Sequence, residues 1–96
     1  MDPFAHQLAA RWTGGDGVVG TVLGPEEREV LELRYGLRDG RARDLIDTRA
    51  VLHLSSASVY LIELEALRKL AEARVINDEM RDAWSDAERT NWPTAV

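Results

Sequence analysis

The stretch that most constrains this chain runs from Ser56 to about Ala73. It has no glycine or proline and carries Val59, Ile62, Ala66, Leu67 and Leu70. Apolar residues recurring at three- and four-residue intervals mark one face of an α-helix. Ser55 precedes the run as an N-cap, and Arg68, Lys69 and Arg74 stand near its end, where the helix dipole favours cations. A helix of this length gives the rest of a small chain its packing surface.

The same helix is apolar on its other side. On a wheel of about 100° per residue, Val59, Ile62, Ala66 and Leu70 gather together, and Ala57, Tyr60, Leu61 and Leu64 gather opposite them. A surface helix is polar on its outer side, so apolar residues there mean that something covers them. Two readings stay open. Ala57, Tyr60, Leu61 and Leu64 form a surface for a partner, or one of the terminal helices, each carrying aromatic residues, folds back over them.

Other segments take their limits from local punctuation. Asp2 and Pro3 read as the cap and first residue of a short helix with Phe4, Leu8 and Trp12 on one face. Thr13 to Gly20 holds four glycines and reads as a flexible connector; it lacks the Gly-Lys-Ser/Thr ending of a phosphate-binding loop. Pro25, Glu26 and Glu27 open a second helix bearing Val30, Leu31, Leu33 and Tyr35, which Gly36 stops in the left-handed conformation. Arg38, Asp39 and Gly40 make a turn. Asp44 caps a third helix to about Leu52, with Leu45, Thr48, Val51 and Leu52 inside and Thr48 the weak point of that stripe. His53 sits at the following turn and tolerates positive φ. After the long helix, Asn77 caps a last helix with Met80, Trp84 and Ala87 on one face, ended by Asn91-Trp92-Pro93. Asp78, Glu79, Asp82, Asp86 and Glu88 make it acidic.

The chain is therefore read as all-α, a small helical bundle around a helix-turn-helix. The organisation expected is a short helix and connector over 1–20, the helix-turn-helix over 21–74, and an acidic helix over 75–96. At 96 residues and 45% hydrophobic composition there is enough for one core. The absence of cysteine removes disulfides and thiolate sites. The two histidines, His6 and His53, form no ligand cluster, and no nucleophile motif surrounds the serines, so neither metal, cofactor nor enzyme activity is expected. No apolar run approaches the roughly 18 residues of a membrane span, and no secretory signal opens the chain; a cytoplasmic location is expected. The net charge of −5 argues against a general nucleic-acid binder.

Leu23 to Ala73 resembles the C-terminal domain of bacterial sigma-70-type sigma factors. Three pieces carry the resemblance. Glu27 to Leu37 with Asp39-Gly40 is similar to that family's first helix and turn. Asp44 to Leu54 falls where the first helix of its helix-turn-helix lies. Ser55 to Leu70, ending Glu65-Ala66-Leu67-Arg68-Lys69-Leu70, resembles its recognition helix. The resemblance implies a domain that reads the minus-35 promoter element and docks on the flap of the RNA polymerase β subunit. Where the family places arginine, glutamate and glutamine readers, this chain has Ser56, Ala57, Ser58, Tyr60 and Leu61. Arginine can bridge a guanine for about 1–3 kcal/mol of discrimination; alanine and leucine offer contact only. Arg49 replaces a frequent small residue, and His53 the usual turn glycine.

The resemblance thus implies a sigma-like regulator whose recognition helix is a protein surface. The docking residues expected are Ala57, Tyr60, Leu61 and Leu64, joined by family position by Leu33, Arg34 and Leu37, and the partner is the β-flap or another transcription factor. A DNA-binding alternative would use Ser55, Ser56, Ser58 and Tyr60 near the groove, with Arg34 and Arg41 on phosphates. A homodimer or structural module is the third reading. Arg28, Arg34, Arg38, Arg41 and Arg43 could make a phosphate patch, but interleaved Glu26, Glu27, Glu29, Glu32 and Asp39 favour an ion-paired surface.

Overall fold

The computed structural model of the chain describes residues 3–12 and 17–91, with side-chain surroundings for 4–12 and 19–84. Helices follow one another as α1 (Pro3–Arg11), α2 (Gly17–Val22), α3 (Pro25–Tyr35), α4 (Leu45–Leu52), α5 (Ser56–Glu72) and α6 (Asp78–Asn91). There is no strand among the described residues, and the fold is all-α.

Helix ends form where side chains satisfy the free backbone groups. The Gly24 N–H donates to the Glu27 carboxylate at 2.9 Å as α3 begins, and Gly36 closes it at φ 64. The Asp44 carboxylate accepts the Asp47 N–H at 2.8 Å. Ser55 Oγ accepts the Ser58 N–H at 3.1 Å, and Asn77 Oδ1 the Met80 N–H at 2.9 Å. His53 ends α4 in the left-handed region at φ 57. Thr48 is fully buried without penalty, because its hydroxyl donates to the Asp44 carbonyl at 2.8 Å.

The central pair is α3 and α5, and apolar side chains leave it in two directions. On one side Val30, Leu45 and Val59 are buried, with Leu52, Leu54 and Ile62 packed around them. This is the core of the helix-turn-helix. The chain bends by 100° between α4 and α5 across His53, Leu54 and Ser55, the geometry of that motif. On the other side Leu31, Ala66, Leu67 and Leu70 meet Phe4, Leu8, Val19, Leu23, Ile76 and Met80. Helices α1, α2 and the start of α6 therefore close the second face of the pair. Phe4 lies edge-on to Tyr35 at 5.2 Å between centroids, and the Trp12 indole N–H donates to Glu32 at 3.1 Å. Phe4 and Leu8 are both completely buried, each worth about 1.5–3 kcal/mol. That burial holds a nine-residue helix that would be marginal alone.

Two expectations are corrected. Gly17 to Gly20 is helical rather than a connector, because Val19 and Leu23 are buried in the main core and burial outweighs the poor helix propensity of glycine. Val51 is not an inner residue of α4 but 50% exposed. Leu45, Thr48 and Leu52 share one stripe, and the position before Leu52 lies about 100° around the helix from it. Asp2, Thr13 to Asp16 and Trp92-Pro93 lie outside the described residues, as does the side chain of Ala87.

Candidate interaction surface of the helix-turn-helix

The orientation of α5 is fixed from inside by a charged residue. Glu63 is fully buried. It accepts the Tyr35 hydroxyl at 2.5 Å and the Arg34 Nε–H at 3.4 Å. Arg34 also donates to the Arg43 carbonyl at 3.3 Å, and its guanidinium lies 5.7 Å from the Tyr35 ring centre. One network thus joins α3, α5 and the loop that leads into α4. Lys69 adds a second tie from α5 to α3, donating to Glu27 at 2.9 Å. Arg34 is only 8% exposed, so its guanidinium faces inward and lies off both the docking surface and the phosphate face expected of it.

With α5 held this way, its outer side carries Ala57, Leu61 and Leu64 into solvent. Leu61 is 61% and Leu64 40% exposed; Tyr60 is half-buried at the edge. Helix α1 packs on α3 and α6 instead of folding over these residues, and Leu64 shares a groove with the first half of α6. Between α5 and α6 lies a groove of about 520 Å³, walled by Leu64, Leu67, Ile76 and Trp84 and rimmed by charged residues including Arg68 and Asp82. Among the described residues the buried Trp84 indole N–H has no hydrogen-bond acceptor.

Ser55 is exposed, and its hydroxyl donates to Ser58 Oγ at 2.9 Å; Ser56 and Ser58 are half-buried. Further along α5, Arg68 bonds to both Glu65 and Glu72. This hydrogen bonding holds the Glu65 carboxyl below its ordinary range and raises the Arg68 guanidinium.

Just beyond α3, Leu37 is half-buried against the main core, and on α3 Leu33 lines a small cavity of about 190 Å³ with Glu29, Arg38 and Arg43. The arginines here are mostly paired. Arg38 meets Glu32 at 2.5 Å and Arg43 meets Asp39 at 2.9 Å. The Arg43 hydrogen bond, then the Arg41 backbone N–H, lowers the Asp39 carboxyl from its ordinary value. Arg41 itself is exposed and Arg28 half-buried. Among the described residues no cluster of His, Cys, Asp and Glu could hold a metal ion, and no single helix is long and apolar enough to cross a membrane.

Glu63 is the functional-site residue that the pattern analysis passes over. It stands four residues after Val59 and three before Ala66, which puts it in the core stripe; the signal was its position, with Arg34 and Tyr35 available as partners.

The chain matches sigma factors over part of its length. It is 46% identical over 55 residues to the RNA polymerase sigma factor SigA1 of Synechococcus elongatus, covering 57% of this chain and 14% of that protein. It is 46% identical over 48 residues to sigma factor SigA of a Nostoc species, covering 50% and 12%. It is 41% identical over 64 residues to a probable RNA polymerase sigma-C factor of a Synechocystis species, covering 67% and 16%. The chain thus spans 12% to 16% of the length of these relatives. No family model and no solved structure matches it significantly.

Proposed function

We propose that this chain is a sigma-like accessory of transcription, a binding protein and not an enzyme. It docks on RNA polymerase, at the β-flap or on a polymerase-associated factor, and uses the helix-turn-helix as a scaffold for a protein contact. The observation that carries this reading is the exposure of Leu61 and Leu64, at 61% and 40%, on the face of α5 where the resemblance puts the readers of DNA. Leucine offers base edges no hydrogen bond, whereas fully covering an exposed leucine against a partner contributes about 1.5–3 kcal/mol. The chemistry around the face points the same way. DNA affinity comes mainly from Lys and Arg on phosphates, but Arg34, Arg38 and Arg43 are paired with Glu63, Glu32 and Asp39. Asp78, Glu79 and Asp82 on α6 add negative charge.

The test sets full chain against polymerase core enzyme, the isolated β-flap and random duplex DNA at low salt. Retention by polymerase, loss of it in Leu61→Glu, and no mobility shift of duplex at about 10 µM protein are expected. A duplex complex that weakens steeply with salt, without retention by polymerase, overturns the reading. It would instead favour DNA contact through Ser55, Ser56, Ser58, Tyr60 and Arg41.

A further inference from the structure

We infer that α1 is the built-in occupant of a helix-docking groove, and that it yields this groove to an amphipathic helix of a partner, neutral or basic and with bulky apolar residues four apart. The groove lies on the side of the α3–α5 pair away from Leu61, so the inference does not rest on the polymerase reading. The resemblance covers Leu23 to Ala73, and within that unit Leu31, Tyr35, Leu37, Leu67 and Leu70 belong to one apolar cluster. Helix α1 and the start of α6 stand outside the unit and close it. They pack on each other, and their Phe4, Leu8, Ile76 and Met80 are buried in the same cluster.

The seated α1 displays the chemistry that the groove accepts. Its anchors Phe4, Leu8 and Trp12 follow one another at steps of four residues. Phe4 and Leu8 are fully buried, Phe4 lies edge-on to Tyr35, and the Trp12 indole N–H donates to Glu32. His6, Ala9, Ala10 and Arg11 stay exposed. An amphipathic helix that lays spaced apolar anchors into a groove is a general mode of protein recognition. Charge narrows the class of helix. Pro3–Arg11 holds no acidic residue and ends in Arg11, whereas Asp78, Glu79 and Asp82 outweigh Arg81 over the described side chains of α6. An acidic helix in place of α1 would meet that charge with its own.

Dependence between α1 and the rest of the domain runs one way. At nine residues α1 is too short to hold a helix by itself, so its structure needs the seat. The helix-turn-helix has a core of its own in Val30, Leu45 and Val59. Arg34 with Glu63 and Lys69 with Glu27 tie α3 to α5 without α1. The chain therefore opens at α1 before it opens as a whole, and each opening bares the groove. Helix α1 acts as a competitor: a partner helix binds only as far as it outbids the chain's own segment.

Two measurements test this through one quantity, the fraction of molecules in which α1 is off its seat. Hydrogen exchange of the unaltered full chain reads it directly. The α1 amides should exchange through a local opening, with those of α5 protected at least about tenfold more. A synthetic peptide of residues 1–12 then probes the groove. The methyl signals of Leu31, Leu70 and Met80 should shift when it is added to full-length Leu8→Glu, whose own α1 cannot seat. A peptide carrying Phe4→Ser and Leu8→Ser should leave them in place. The unaltered chain should bind the first peptide more weakly by the inverse of the open fraction, about a hundredfold for a fraction of about 1%. Equal binding by the two chains, no binding by Leu8→Glu, loss of the helical circular dichroism of that variant, or α1 and α5 amides exchanging together overturns the inference.

Discussion

Replacing Arg34 by methionine should destabilise the domain by about 3 kcal/mol, a large part of the roughly 5–15 kcal/mol available to a domain of this size. The change keeps much of the apolar stem of the side chain and removes its charge and donors. It leaves the Glu63 carboxylate, which is fully buried, without its ion-pair partner, while the Tyr35 hydroxyl still donates to it. Removing one member of a buried ion pair costs about 3–5 kcal/mol. The low end applies because the Arg34 contacts are long, 3.4 Å to Glu63 and 3.3 Å to the Arg43 carbonyl, near the limit of a useful hydrogen bond. The guanidinium's approach to the Tyr35 ring, at 5.7 Å, accounts for about 0.5–1 kcal/mol of that loss. Urea unfolding followed by circular dichroism reads the change, and the thermal midpoint should fall by about 12–24 °C. The companion variant Arg34→Met with Glu63→Leu should recover about 2 kcal/mol, because an apolar pair carries no stranded charge. A single-variant cost below about 1 kcal/mol, or a double variant no more stable than the single, would refute the claim that Arg34 is there to neutralise Glu63.

Further outcomes follow from the same structure. Phe4→Ala empties a completely buried site against Tyr35 and should cost about 3–5 kcal/mol, with hydrogen exchange accelerated first in α1. Gly36→Ala should destabilise by at least about 1–2 kcal/mol, since a Cβ at φ 64 would stand 2.8 Å from the backbone of Arg41 and Ala42; urea midpoints check this. Leu61→Glu, by contrast, should leave stability within about 0.5 kcal/mol, as the residue is 61% exposed. In an NMR titration the Asp39 carboxyl should ionise below 3.8, and Arg43→Ala should move it back up. The sign is that of a depressed carboxylate: its contribution to stability is present above the unfolded value and lost as pH falls through the folded one.

The elements most legible in the sequence are those whose signal is local. Asp44, Ser55 and Asn77 cap helices as their chemistry requires, and Gly36 and His53 take the left-handed φ expected of them. The long helix was equally plain, because its apolar stripe and its free ends agree. What pattern could not give depends on partners distant in sequence. Gly17 to Val22 has the composition of a loop and becomes a helix because Val19, with Leu23 just beyond it, is buried in the main core. Glu63 stands in the apolar stripe of α5 as a charged residue, and its burial makes sense only once Arg34 and Tyr35, twenty-nine and twenty-eight residues away, are brought to it. Ile46, 58% exposed, has an apolar side chain like any core residue, and only the crossing of α4 on α5 turns it outward. The outer face of α5 was legible as apolar. That the terminal helices pack on the far side of α3 and α5, leaving Leu61 open, was not.

The central claim is that the outer face of α5 serves protein contact rather than base reading. Methyl-labelled chain, titrated in parallel with the β-flap and with duplex DNA, tests this most directly. The Leu61 and Leu64 methyl signals should shift and broaden with the flap and stay in place with DNA. Shifts centred on Ser55, Ser58 and Arg41 on adding duplex, with the two leucines unmoved by the flap, would contradict it.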